Sequence, residues 1–374
     1  MNKPLIEPKF VGARFNDHTI PLELLKDIAA LEEFVIAVAK WKYVQEHDRI
    51  RAPKGFTEPL KISLSTIKEG SAIAAIAFKY EDPRAGFLPA ANEDYFFKAI
   101  QAIGNAIDAA EHGEPINNHL PAELLGYFDR FGRGLREGEA LEFWPDQARP
   151  ARLTKLTRRQ LLLASQNDEL TDEVVIRGRV PELDQPKLTC EVEGADGRRI
   201  TVKFDQMMLD TVLEATRGYR SGVKVSISGI GRFDRLERLQ LVEATEEVVI
   251  IEATDPLARL DELRLLKPGW LDGTGKAPSK TEFDWLEDFF LNHYPSSLPT
   301  PYIYPTEDGG ILLEWRIGTF DISLEIDMHK KTAEYHSLET NTGNEEFKEL
   351  LMDKEGILAI TNTISTAAVK AAEQ

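Results

Sequence analysis

The chain has 374 residues, 42% hydrophobic and 29% charged, with 63 acidic against 45 basic side chains, a formal charge of −18 and a single cysteine. One cysteine excludes a disulfide framework, and apolar runs such as Ala72–Phe78 and Val248–Ile251 fall well short of the ~20 residues of a membrane span. The aliphatic and aromatic content is too high for a disordered chain, so the expectation is a soluble, cytoplasmic, multidomain protein with no membrane partner.

The negative charge is unevenly placed. Residues 1–150 carry 18 Lys/Arg and 23 Asp/Glu, and residues 151–254 carry 16 and 18. Residues 255–374 carry 11 and 22, so a net −11 gathers in the last zone.

In the first zone Lys9–Phe15 predicts a short strand ending at Asn16-Asp17, and Pro21 suits the first turn of a helix. Apolar residues at Leu22, Leu25, Ile28, Leu31, Val35, Val38 and Trp41 carry that helix to about His47. Ile62, Leu64 and Thr66 alternate with polar neighbours, and Glu69-Gly70-Ser71 leads into Ala72–Tyr80, the pattern of a β-hairpin. Asn92 is placed to cap a helix over Glu93–Glu111, stopped by His112-Gly113. Pro121 opens a shorter helix to about Phe131.

The middle zone reads as strands Val174–Val180, Lys187–Glu193 and Arg199–Phe204, a helix over Asp205–Thr216 ended by Gly218, and strands Val223–Ser228 and Leu239–Ile250. Three strands, a helix and two strands is the element order of an OB-type barrel. In the last zone Ser279-Lys280-Thr281-Glu282 is a capping box, with Phe283, Leu286, Phe289 and Phe290 as the buried stripe behind it. Strands are predicted at Ile311–Arg316, Thr319–Asp327 and Thr332–Leu338, followed by a helix from Glu345 to about Ala371. The fold class expected is α+β and multidomain. An N-terminal helix/β-hairpin domain spans 1–165, a central OB-like five-stranded β-barrel 172–252, and a C-terminal acidic domain, a small antiparallel sheet with flanking helices, 266–374.

Catalytic motifs are missing or misspaced. His112 and His119, and His329 and His336, lack the cysteines or tight spacing of a zinc site, so no metal and no cofactor is expected. Gly269–Ala277 has five residues before its Gly-Lys pair and Ala277 in place of the hydroxyl that a phosphate loop needs. Gly132-Arg133-Gly134 with Gly138 fails the dinucleotide spacing. Cys190 lies in a strand beside Glu191, which raises a thiol pKa, so it reads as a core cysteine. Glu325 and Asp327 share one face of a strand, where they serve as a solvated face or, in an enzyme, as acid and base or Mg²⁺ ligands.

Two binding surfaces follow. Between Arg177 and Arg238 there are 12 basic and 10 acidic residues, and Arg177, Arg179, Arg198, Arg199 and Lys203 are the candidate nucleic-acid contacts of the barrel, although strands two and three offer few aromatics for stacking bases. Asp321, Glu325 and Asp327 are the candidate contacts for a basic protein partner in the acidic domain.

Gly269-Trp270-Leu271-Asp272-Gly273-Thr274-Gly275 through Pro278-Ser279, with Tyr304-Pro305-Thr306-Glu307-Asp308-Gly309-Gly310-Ile311 and Leu313-Glu314-Trp315, resembles a module of uncharacterised bacterial proteins of antitoxin-like or defence-accessory type. The resemblance covers roughly the last quarter of the chain and implies no activity. It suggests turn glycines, Ser279 as a cap and Trp315 as a core anchor. The leading expectation is therefore a non-enzymatic interaction protein of antitoxin, immunity or defence-accessory type, with a basic partner such as a toxin or nuclease. The alternatives are a single-stranded nucleic-acid binder using the barrel and a metal-dependent enzyme using the acidic strands.

Overall fold

A computed structural model describes residues 2–16, 19–57, 60–68, 72–80, 92–165 and 169–372. They divide into two units, Met1–Glu173 with Ile230–Gln240, and Val174–Gly229 with Leu241–Gln374. Helices and several sheets make the chain α+β, and three separate apolar cores form within it.

The first core belongs to the strands β1 (Asn2–Ile6), β2 (Lys9–Val11), β3 (Leu60–Lys68), β4 (Ala72–Tyr80), β5 (Ala140–Phe143) and β6 (Ala151–Leu153). Their order is β1-β4-β2-β5-β6, with β3 also paired to β4. Helices α1 (Leu25–His47), α2 (Glu93–His112), α3 (Ala122–Leu125) and α4 (Lys155–Ala164) accompany them. Of the apolar stripe read for α1, Leu31, Val35 and Val38 are buried, whereas Leu25 is 38% exposed and Leu22, in the 3₁₀ turn before the helix, is 81% exposed. The helix ends at Asp48, whose left-handed φ of 48° lets its N–H bond back to Val44. The β3–β4 hairpin is antiparallel as its alternation requires, while its Glu69-Gly70-Ser71 turn and Asp17 lie outside the described residues.

Several local expectations need correction. The strand over Lys9–Phe15 stops at Val11, because Ala13–Phe15 tightens into a 3₁₀ turn and buries Phe15. Asn92 does not cap α2; its amide donates to the Phe56 carbonyl at 3.0 Å instead. Strands β1, β5 and β6 and helix α4 carry signals too short for sequence periodicity. The start of α4 is nevertheless chemically explicit. Thr154 accepts from the Thr157 N–H, and the Thr157 hydroxyl accepts from the Thr154 N–H, a capping box built from two threonines.

Strands β7 (Glu169–Asp184), β8 (Thr189–Glu193), β9 (Arg199–Lys203), β10 (Lys224–Asp234) and β11 (Leu239–Ile251) run β10-β11-β9-β8-β7 and close on themselves. Helix α5 (Leu209–Arg217) stands between β9 and β10. Neighbours β7–β8 and β8–β9 are antiparallel, whereas β11 joins β9 in parallel, with Leu241 opposite Thr201. So small a ring needs close backbone approach. A Cβ on Gly178 would stand 2.3 Å from the Glu193 carbonyl oxygen, and one on Gly229 would stand 2.2 Å from that of Ala244. Val180, Val192, Val202, Val225 and Ile227 fill the interior together with Cys190.

Helix α6 (Pro256–Leu263) begins with Asp255 as cap and proline in its first turn. Helix α7 (Lys280–Asp288) begins with the predicted capping box, Ser279 N–H to Glu282 at 2.6 Å and Glu282 N–H to Ser279 at 3.4 Å. The sheet that follows is a meander of β12 (Tyr302–Pro305), β13 (Ile311–Ile317), β14 (Phe320–Asp327), β15 (Thr332–Glu339) and β16 (Asn344–Leu351), completed by helix α8 (Lys354–Ala372). Residues 345–351 thus form a strand, which corrects the helix expected from Glu345. The stretch is rich in helix-forming Glu, Lys and Leu, but Gly343, at a φ of 71°, turns the chain back onto β15, and pairing overrides propensity. Ile311, Leu313, Trp315, Ile322, Leu324 and Ile326 point to the face that shares a core with α7 and α8.

Candidate interaction surface

The period of a strand sends alternate side chains to opposite faces, so the other face of this sheet can be read row by row from the pairing. One row is Tyr304, Leu312, Glu325, Glu334 and Glu349. The next is Tyr302, Glu314, Ser323, His336 and Phe347. A third is Arg316, Asp321, Leu338 and Glu345. The fourth ends in Asp327, Thr332 and Leu351.

Two features stand out on this face. Glu325, Glu334 and Glu349 are direct cross-strand neighbours on three successive strands, at the ~5 Å spacing where like charges repel. None of the three, nor Glu314 beside them, has a hydrogen bond or ion pair among the described residues. Large apolar side chains also stand open there: Phe347 is 69% exposed, Leu351 61% and Tyr302 54%. Phe347 stacks on His336 with ring centres 4.3 Å apart. A hollow of about 1010 Å³ runs past Glu325, Glu334, Glu349 and Leu351 to Lys276 and Gly309, and a second of about 680 Å³ lies over Tyr302, Glu314, Ser323 and His336. Lys276 and Lys330, which border the first hollow, are turned to Asp308 and Asp327.

Of the three acids expected to contact a partner, only Glu325 has an uncommitted carboxylate. Asp321 accepts from Arg316 at 3.0 Å. Asp327 serves its own turn, accepting from the His329 and Lys330 N–H groups at 3.1 and 2.9 Å and from the Lys330 ammonium at 2.8 Å, and that ammonium holds its carboxyl below the usual range. Glu334, Glu349 and Phe347 were missed. Glu334 shares the alternation of Thr332 and His336 and was legible, whereas Glu349 and Phe347 were hidden by the helical reading of residues 345–351.

The barrel's cations are largely committed. Arg177, its side chain 10% exposed, faces Asp261 at 3.3 Å and Glu287 at 3.6 Å. Arg179 reaches Glu193 at 3.0 Å and lies over the Tyr219 ring. Arg199 is 3.8 Å from the same Glu193, and Arg198 is 3.3 Å from Asp196. Lys203 alone of the five is exposed without such a partner among the described residues.

The remaining candidates have structural places. Cys190 is buried, and burial, with Glu191 adding to it, pushes its thiol up to about 12, which makes it inert. Trp270 and Gly275 close a tight loop in which the Asp272-Gly273 pair takes positive φ and the Trp270 indole donates to the Lys276 carbonyl at 3.1 Å. His329 stands beside Glu282 at 3.7 Å, while His336 belongs to the other hollow. Trp315 is buried, its indole shared between the Tyr294 hydroxyl and the Pro299 carbonyl, each at 3.0 Å. Asp108, Glu111 and His112 draw together on α2, but Asp108 already holds Arg149 at 2.6 Å and Glu111 accepts from the Arg152 N–H. No helix among the described residues is long and apolar enough to cross a membrane. No protein family, curated protein or solved structure matches this chain.

Proposed function

We propose that the chain works by binding, and that the uncovered face of its C-terminal sheet docks a basic protein, in the manner of an antitoxin, immunity or defence-accessory factor. The observation that carries this reading is the uncompensated row Glu325–Glu334–Glu349 beside exposed Phe347 and Leu351. Three carboxylates directly opposite one another destabilise a sheet by a few tenths to about 1 kcal/mol per pair. A cationic partner relieves that repulsion, and the apolar side chains supply the buried anchors on which interface energy concentrates. Complementary charge also accelerates encounter and rejects acidic competitors. In this reading the ring β10-β11-β9-β8-β7, with α5 between β9 and β10 and β11 parallel to β9, is an OB-type barrel. Its role here is that of a scaffold, because Arg177, Arg179, Arg198 and Arg199 are held by its own acids and those of α6 and α7.

The test is a titration of labelled Lys/Arg-rich and Asp/Glu-rich peptides, containing apolar residues, with the intact chain at graded salt. The Lys/Arg-rich peptide is expected to bind, more weakly as salt screens the contact, and to lose about tenfold or more in affinity to the Glu325→Gln/Glu334→Gln/Glu349→Gln variant. Equal binding by the variant, or equal binding of the acidic peptide, contradicts the reading.

A further inference from the structure

The N-terminal unit holds a polar hollow of about 190 Å³ between α1 and α2, lined by Lys42, Lys98, Gln101, Asn105, Asn118 and His119. Its one carboxylate, Glu46, is already neutralised, accepting from the Lys98 ammonium at 2.6 Å and from the Tyr95 hydroxyl at 3.1 Å. The side chains of Gln101, Asn105, Asn118 and His119 have no hydrogen-bond partner among the described residues, and the Lys42 ammonium meets only the Trp41 ring, at 4.6 Å. What is left facing the hollow is one free positive charge and a set of donors, which is the chemistry that receives an oxyanion.

Rings and further cations continue from it. Tyr95 meets Tyr43 edge-on at 5.3 Å, and Tyr43 stacks on the exposed His47 at 4.2 Å. Arg49 lies over Tyr43 at 5.9 Å, and Phe56 packs on Tyr43 at 5.4 Å. On the segment between Arg49 and Phe56, Arg51 and Lys54 are exposed with no carboxylate partner among the described residues. A lone small anion would use the hollow and leave these side chains idle. A polymer of phosphates with flat bases engages the cations with its phosphates and offers a base to the exposed His47 ring, on which half-buried Tyr43 stacks from within, while Phe56 is buried.

We propose that this end of the α1–α2 pair binds a single strand of nucleic acid, one phosphate entering the hollow at Lys42 and Asn105 and the strand continuing over His47 toward Arg51 and Lys54. The contrast with the barrel favours this location: there four of the five candidate cations are paired, whereas here Lys42, Arg51 and Lys54 have no carboxylate partner among the described residues.

The experiment is fluorescence anisotropy of labelled oligothymidylate and oligouridylate with the full chain, at salt between about 50 and 200 mM, where phosphate contacts are most visible. Single strands are expected to bind, and Lys42→Glu/Arg51→Glu/Lys54→Glu to weaken them at least tenfold. Because each single-strand phosphate contact contributes about 0.7 to the salt slope, that variant should flatten the slope by about two. Asn105→Asp, nearly isosteric and on an exposed helix face, should weaken binding without moving the melting temperature, which separates a lost site from a lost fold. Absence of single-strand binding, binding indifferent to these changes, or loss only on Arg198→Glu/Arg199→Glu in the barrel overturns the proposal. Equal affinity for a duplex of the same length overturns it too, since rings cannot stack on paired bases.

Discussion

Asp27 shows how one buried side chain can set the pH response of the N-terminal unit. It lies on α1, 5% exposed, and its carboxylate accepts from the Gly134 N–H at 3.1 Å. The carbonyl of that glycine accepts from Arg14 at 2.8 Å, and Arg14 is held by both oxygens of Glu139 at 2.6 Å. Burial outweighs the hydrogen bond from Gly134 and the charge of Arg158, and pushes the Asp27 carboxyl up to about 7. A folded-state pKa above the unfolded one means the folded chain binds the extra proton, so the stability this group confers is present below about pH 4 and is lost as the pH rises to 7. A shift of about three units corresponds to an effect on the order of 4 kcal/mol. Asp27→Asn keeps an acceptor for Gly134 and removes the proton. Urea denaturation at pH 5 and pH 8 is expected to show the variant gaining stability relative to the parent as the pH rises. Parallel pH profiles for the two proteins contradict the account of Asp27.

At the scale of elements, the same side chains decide what could be read in advance. Helix α7 was legible because Ser279 and Glu282 announce a cap locally and Phe283 and Leu286 mark the buried side. The alternation in β13 and β14 was legible for a similar reason, since Ile322, Leu324 and Ile326 differ so plainly from Ser323 and Glu325. Strand β16 was not, because its burial has no period: every residue except Leu350 is exposed, and what makes it a strand is pairing to β15. The row of glutamates crosses three strands and is visible only once the register is known. That register yields its own prediction. Glu334 stands between Glu325 and Glu349, so Glu334→Gln removes two repulsions and should stabilise the isolated chain by about 0.5–1 kcal/mol in thermal or denaturant unfolding. A neutral or destabilising result would mean the carboxylates are already compensated. Sequence likewise shows where Arg177 lies but not what it meets, since Asp261 is 84 positions away.

For the molecule as a whole, the charge of −18 resolves into distinct surfaces. In the barrel, acids such as Glu193, Asp184 and Asp234 have cations beside them, Glu193 both Arg179 and Arg199. Among the described residues the C-terminal sheet has a row of acids without such partners, and α1 and the segment after it have cations, Lys42, Arg51 and Lys54, without carboxylate partners. Zone-by-zone counting finds the first surface, because 22 acids oppose 11 cations after residue 255. It conceals the second, because Lys42, Arg51 and Lys54 are diluted in a zone of net −5. The proposed recognition of a basic protein by the uncovered sheet face is best checked by capture from an extract of the source cells, comparing the intact chain with the Glu325→Gln/Glu334→Gln/Glu349→Gln variant. A protein of net positive charge is expected to be retained by the parent chain and lost from the variant. Retention of the same proteins by both chains, or of none by the parent, would contradict it.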